Sequence, residues 1–158
     1  MKKQILASLI VIIIAVFAAT YPAKAAVTVN DSTDISLSVF IPCANGGLGE
    51  DVDLEGPLHI LLTLTFDGNG GVHVKEHFQP QGLSGVGLTT GAKYQATGVT
   101  QDQSNFGAVG STFTFVNNFR IIGQGPGNNF LVHEEVHVTV NANGTVTVVH
   151  DHFSADCK

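Results

Sequence analysis

Glu76, Glu134, His150 and His152 are the residues whose types and positions could do chemistry in this chain. Each sits, in a strand alternation, at the parity of the apolar residues around it, and a carboxylate or imidazole on a buried face must be paired or hydrated. Such a set can be an internal ion-pair cluster, the polar floor or mouth of a ligand cavity, or an acid and base acting together. The structural reading is favoured, with Glu134 paired across strands to His152, and the four residues form the candidate binding set at the interior or mouth of the fold. No residue is assigned a catalytic role, and the reading leans away from an enzyme.

The other histidines invite a metal reading. His133, Glu135 and His137 alternate along one strand face, as do His73 and His77, and with His59 they fall on the side away from the valines. A transition-metal site needs several ligands converging at about 2.0–2.3 Å, which spacing alone does not supply, so no metal and no cofactor are assigned. Asp51, Asp53 and Glu55 alternate too and read as a solvated outer face. Gly46 to Asp51 resembles the start of a calcium-binding β-roll nonapeptide, but Asp53 stands where that motif wants a large apolar residue and no second copy follows. Gly82 to Gly87 misses the nucleophile-elbow spacing by one residue.

The elements that must position these residues are strands. Two hairpins are expected, Leu58 to Phe78 about Asp67-Gly68-Asn69-Gly70 and Val132 to Phe153 about Asn141-Ala142-Asn143-Gly144. Asn-Gly tolerates the positive φ of a tight turn, which makes it a strong hairpin signal. A one-residue slip moves every side chain to the other face, so the apolar pattern argues the registers. The first hairpin should pair Phe66 with Val72, Leu64 with Val74 and Leu62 with Glu76. The second should pair Val140 with Val146, Val138 with Val148, Val136 with His150, and Glu134 with His152. The expected core contains Leu58, Ile60, Leu62, Leu64, Val72, Val74, Val136, Val138 and Val148. Residues 27–41 read as one strand or two broken at Asp31 to Asp34, Val52 to Phe66 as one strand kinked at Gly56-Pro57, and Lys93 to Gln101 and Thr112 to Ile122 as two more, with Gly-rich loops between. The fold class is all-β: an antiparallel meander of seven to eight strands closed into a small barrel, with a two-sheet sandwich as the alternative.

Lys2 and Lys3, the apolar run Ile5 to Ala19 and the small residues Ala23 and Ala25 read as a secretory signal peptide, residues 1–25, leaving one domain, residues 26–158. The run is short for a membrane span, and none is expected in the mature chain. That mature chain carries 4 Lys and Arg against 13 Asp and Glu, which disfavours nucleic acid as a partner. Its only cysteines, Cys43 and Cys157, should form a disulfide in a periplasmic or extracellular setting. The functional expectation is a module that binds a small, mainly apolar ligand in the barrel. Its alternatives are a structural or adhesive extracellular module with a filled core, and an enzyme with an acid/histidine site at the barrel mouth. The pattern sets no oligomeric state.

Overall fold

A computed structural model describes residues 24–125 and 128–158. The expected signal peptide, residues 1–25, lies almost wholly outside the described residues. The chain forms one antiparallel sheet of eight strands: β1 (Lys24–Ile41), β2 (Glu50–Phe66), β3 (Val72–Pro80), β4 (Ser84–Gly87), β5 (Lys93–Gly107), β6 (Gly110–Gly123), β7 (Phe130–Asn141) and β8 (Val146–Cys157). A helical turn, α1 (Ala44–Gly47), joins β1 to β2, with Asn45 in the left-handed region. The all-β meander expected from the alternation is the observed fold. The sandwich alternative is replaced by a single sheet, and no β1–β8 ladder closes that sheet into a barrel among the described residues.

The eighth strand arises where a loop was expected. β3 pairs with the far half of β2 and with β5, and β4 then pairs with Val52–Glu55 of β2 and Lys93–Gln95 of β5. β3 and β4 thus share one lane between two long strands whose backbone groups would otherwise lack partners. The break between them is sealed by Leu83, which is buried and whose carbonyl accepts from the Ala96 N–H at 2.9 Å. β1 runs unbroken through Asp31 to Asp34, so the one-strand reading holds and the expected alternative break does not occur.

Fully buried side chains gather at one end. Ile41, Ala44, Val52, Leu54, Leu83, Tyr94, Ala96 and Ile121 form the core, with Ile35, Val39, Cys43, Phe119 and Phe130 packed against it. These come from β1 and from β5 to β7, which are not ladder neighbours, so the sheet must curl at this end. The disulfide requires the same. Seven strand lanes laid flat would separate the outer strands by about 29 Å, yet Cys43 and Cys157 are bonded with their Cα atoms 5.8 Å apart. The face turned toward the core is the inner face. Burial fades along it toward the two Asn-Gly turns, where Leu62, Leu64, Val72, Val74, Val136 and Val138 are half-buried rather than buried. The expected core is therefore the inner face, while the packed core lies at the disulfide end.

Glycines let these long strands bend. Gly98 has φ +108°, and a Cβ there would run into the Asn118 carbonyl of β6. Positive φ costs a non-glycine residue about 1–3 kcal/mol before any clash. Gly98→Ala should lower unfolding free energy by at least that much, read from the midpoint of a urea transition. A change within about 0.5 kcal/mol would mean that the strand does not need this bend.

Candidate functional site

The first hairpin has the expected register: Phe66 faces Val72, Leu64 faces Val74 and Leu62 faces Glu76. Asp67 organises its turn, its Oδ1 accepting from the N–H groups of Asn69 at 2.8 Å and Gly71 at 2.7 Å. Those N–H groups, with His73 at 3.3 Å, hold the Asp67 carboxyl below its ordinary value. His73 is raised, chiefly because it donates to Asn105 Oδ1 at 2.8 Å and also because it pairs with Asp67.

The second hairpin corrects the expectation. Val140 pairs with Val146, but Thr139 then pairs with Val148, so Thr147 is an extra residue in β8, a β-bulge. Its hydroxyl donates to the Thr139 carbonyl at 3.4 Å. Beyond the bulge every β8 side chain has changed face: Val138 is opposite Val149, Val136 opposite Asp151, and Glu134 opposite Phe153. The expected pairs Val138–Val148, Val136–His150 and Glu134–His152 do not form. His152 is opposite Glu135 and His150 opposite His137, on the outer face, and Val148 leaves the core set for that face as well.

The four predicted site residues are consequently divided. Glu76 and Glu134 lie on the inner face, Glu76 opposite Asp102 and Glu134 opposite Asn117, whereas His150 and His152 lie outside. Register also places Asp102 and Asp151 on the inner face. Lys75, Lys93 and Arg120 all fall on the outer face, so no basic residue neutralises these carboxylates among the described inner-face side chains.

Two features arise that the alternation did not single out. The first is Glu50, buried at the disulfide end. Its carboxylate accepts from the Tyr94 hydroxyl at 2.8 Å, the Thr90 hydroxyl at 2.9 Å, and the N–H groups of Thr90 at 3.0 Å and Thr89 at 3.2 Å. A Cβ at Gly87 would strike it. Burial pushes the Glu50 carboxyl upward, but these donors outweigh it and hold it below its ordinary value of 4.5. Tyr94 is pushed up to about 12, by burial first and by the carboxylate second. With its acceptor sites filled and the core around it, Glu50 is a structural node that ties the segment Thr89–Thr90 and β5 to the start of β2. Its sequence signal was parity: Glu50 shares the even phase of Val52 and Leu54.

The second is the inner face toward the turns. Val29, Phe106, Phe113, Val146, Val149 and Phe153 are exposed there, Val149 by 68% and Phe153 by 62%. They adjoin the half-buried Leu62, Leu64, Phe115, Val136 and Val138, giving an apolar surface with a packed floor at one end and, among the described residues, no cover at the other. A groove of about 300 Å³ is lined mostly by outer-face residues, Leu61, Thr63, Lys75, His77, Gln101 and Thr114 among them, with Glu76 and Asp102 also bordering it. Comparison with models of protein families, with curated proteins and with solved structures finds no match to this chain.

Proposed function

We propose that this chain is an exported, non-catalytic binding module that holds a small, mainly apolar ligand against the open half of its inner face. The observation that carries the reading is the apolar surface from Val29 to Phe153, exposed among the described residues. A contiguous apolar patch of this kind on a water-soluble domain marks a place where something binds. The disulfide is compatible with an oxidising, exported location. Glu76, Asp102, Glu134 and Asp151 lie on the same face without basic partners among the described side chains, so neutral or cationic ligands should be preferred over anionic ones. The acid/histidine pair required by the enzyme reading is split between two faces.

The test uses a neutral apolar fluorophore, N-phenyl-1-naphthylamine, with competition by dodecyltrimethylammonium and by dodecyl sulfate below their micellar concentrations. The probe should bind saturably, Val138→Asp should weaken it at least tenfold while the far-UV spectrum stays unchanged, and the cationic amphiphile should compete better than the anionic one. Binding unchanged in Val138→Asp would remove the inner face as the site.

A second reading, the structural or adhesive module, rests on the same face and on the edges of β1 and β8, which are unpaired among the described residues. Seven strand lanes and about nine residues of strand length make a face of roughly 900 Å², close to the ~800 Å² per partner of a stable interface. Light scattering after gel filtration separates the two: a dimer lost in Val138→Asp favours assembly, and a monomer that binds the fluorophore favours the ligand.

A further inference from the structure

The Thr147 bulge has a second result. By turning His150 and His152 outward it leaves all seven histidines of the chain on the outer face: His59, His73, His77, His133, His137, His150 and His152. Three successive outer-face pairs of β7 and β8 hold five groups that can bind metal. On β7 these are His133, Glu135 and His137; on β8 they are His150 and His152, with Ser154 opposite His133.

The histidines are not equivalent. His137 is engaged at both ring nitrogens, Nδ1 with the Thr114 hydroxyl at 2.8 Å and Nε2 with the Thr139 hydroxyl at 3.3 Å. His59 Nε2 is taken by Asn30 at 2.7 Å, and His73 lies between Asn105 and Asp67. His133 differs. Its Nδ1–H donates to Asn118 Oδ1 at 2.7 Å, and an amide oxygen can only accept, so the proton is held on Nδ1 and Nε2 keeps its lone pair. That is the arrangement in which metal-bound imidazoles are usually found, with the second nitrogen fixed by an outer hydrogen bond. The His133 and His152 rings lie 5.6 Å apart, centre to centre, tilted by 58°. Two imidazoles sharing one tetrahedral ion at about 2.1 Å have ring centres about 5–5.5 Å apart. Glu135 lies between them in sequence and register, two residues from His133 on the same face and directly opposite His152.

We propose that His133 and His152 bind a divalent transition-metal ion of the Zn²⁺, Cu²⁺ or Ni²⁺ class, with Glu135 as the third protein ligand and water in the remaining positions. Imidazole with one carboxylate suits these borderline ions, whereas Ca²⁺ and Mg²⁺ favour all-oxygen sites. Among the described residues no three such groups are already drawn together for an ion. The Glu135 carboxylate therefore closes on the ion when it arrives, by side-chain rotation at a half-buried position on the outer face. The bound ion ties strand β8 to β7 at a level where, among the described residues, β8 has no neighbour on its other side.

Calorimetric titration of the full chain with Zn²⁺ at about pH 7.5 tests this, because metal binding is pH-dependent and competes with protons for the ligands. One equivalent should bind. His133→Gln and His152→Gln should each weaken binding at least tenfold, Glu135→Gln should weaken it several-fold, and Asn118→Ala about tenfold through loss of the ring anchor. His59→Gln and His77→Gln, on the same face but distant, should bind as the parent does. Cu²⁺ added in trace amounts should broaden the His133 and His152 ring resonances before any other, a readout independent of affinity. Equal binding by the His133→Gln and His152→Gln variants, or equal weakening by all the histidine variants, would overturn the site in favour of diffuse surface binding.

Discussion

Replacing Cys43 and Cys157 together by alanine should cost about 4–5 kcal/mol of unfolding free energy, the largest single loss expected from any side-chain change in this chain. The bond spans 114 residues, and the chain-entropy account assigns about 4.7 kcal/mol to closing a loop of that order. Whole domains are commonly stable by only about 5–15 kcal/mol. The fold gives a specific reason for the full effect. No ladder joins β1 to β8 among the described residues, so the disulfide is the covalent tie between the first and last strands, and the core at that end is assembled from strands that are not ladder neighbours. Urea unfolding of the double variant, followed by circular dichroism, should show an earlier midpoint. An unchanged slope would indicate a folded state of the same extent. A loss under about 1 kcal/mol would mean that β1 and β8 are held together by something other than this bond.

Glu50→Ala should cost about 3 kcal/mol or more at neutral pH. The substitution leaves the buried Tyr94 hydroxyl and the Thr89 and Thr90 N–H groups without their acceptor, and an orphaned buried donor costs roughly 1–3 kcal/mol. Glu50→Gln should lose less, because one carbonyl oxygen remains, though its amide then faces donors. The pH dependence follows from the direction of the shift. Glu50 is held below its ordinary value, so its folded state binds the proton less readily than the unfolded chain. Its contribution is fully present above about pH 4.5 and is lost as pH falls through the folded value. Asp67 is shifted the same way, so the informative quantity is the difference between parent and Glu50→Gln. That difference should be constant from about pH 7 to 5 and shrink below about 4.5. A constant difference down to pH 3 would show that the carboxylate charge plays no part. The phenol of Tyr94 should titrate well above a free tyrosine in the parent, at about 12, and lower in Glu50→Gln.

Alternation determined the strand content and the first hairpin's register, and the cysteine count determined the pairing of Cys43 with Cys157. These depend on local physics: period-two side-chain direction, the positive φ of Gly70 and Gly144, and the scarcity of cysteine partners. The candidate site was legible only in part. Glu76 and Glu134 are inward as their parity implies, but His150 and His152 are outward because one residue, Thr147, steps out of the ladder. A trace of that step is present in the sequence. Val146 and Val148 share even parity, whereas Val149, Phe153, Ala155 and Cys157 share odd parity, so the apolar phase changes within the Val148-Val149 doublet. What weighs the second phase above the first is tertiary: Cys157 must reach Cys43, and only the bulged register turns it, with Phe153 and Ala155, to the inner face. The open edge and the uncovered half of the inner face were likewise beyond the pattern. Alternation reports which residues share a face, while how far that face curls over itself is set by the glycine bends, the β3–β4 lane and the single disulfide, whose partners lie far apart in the chain.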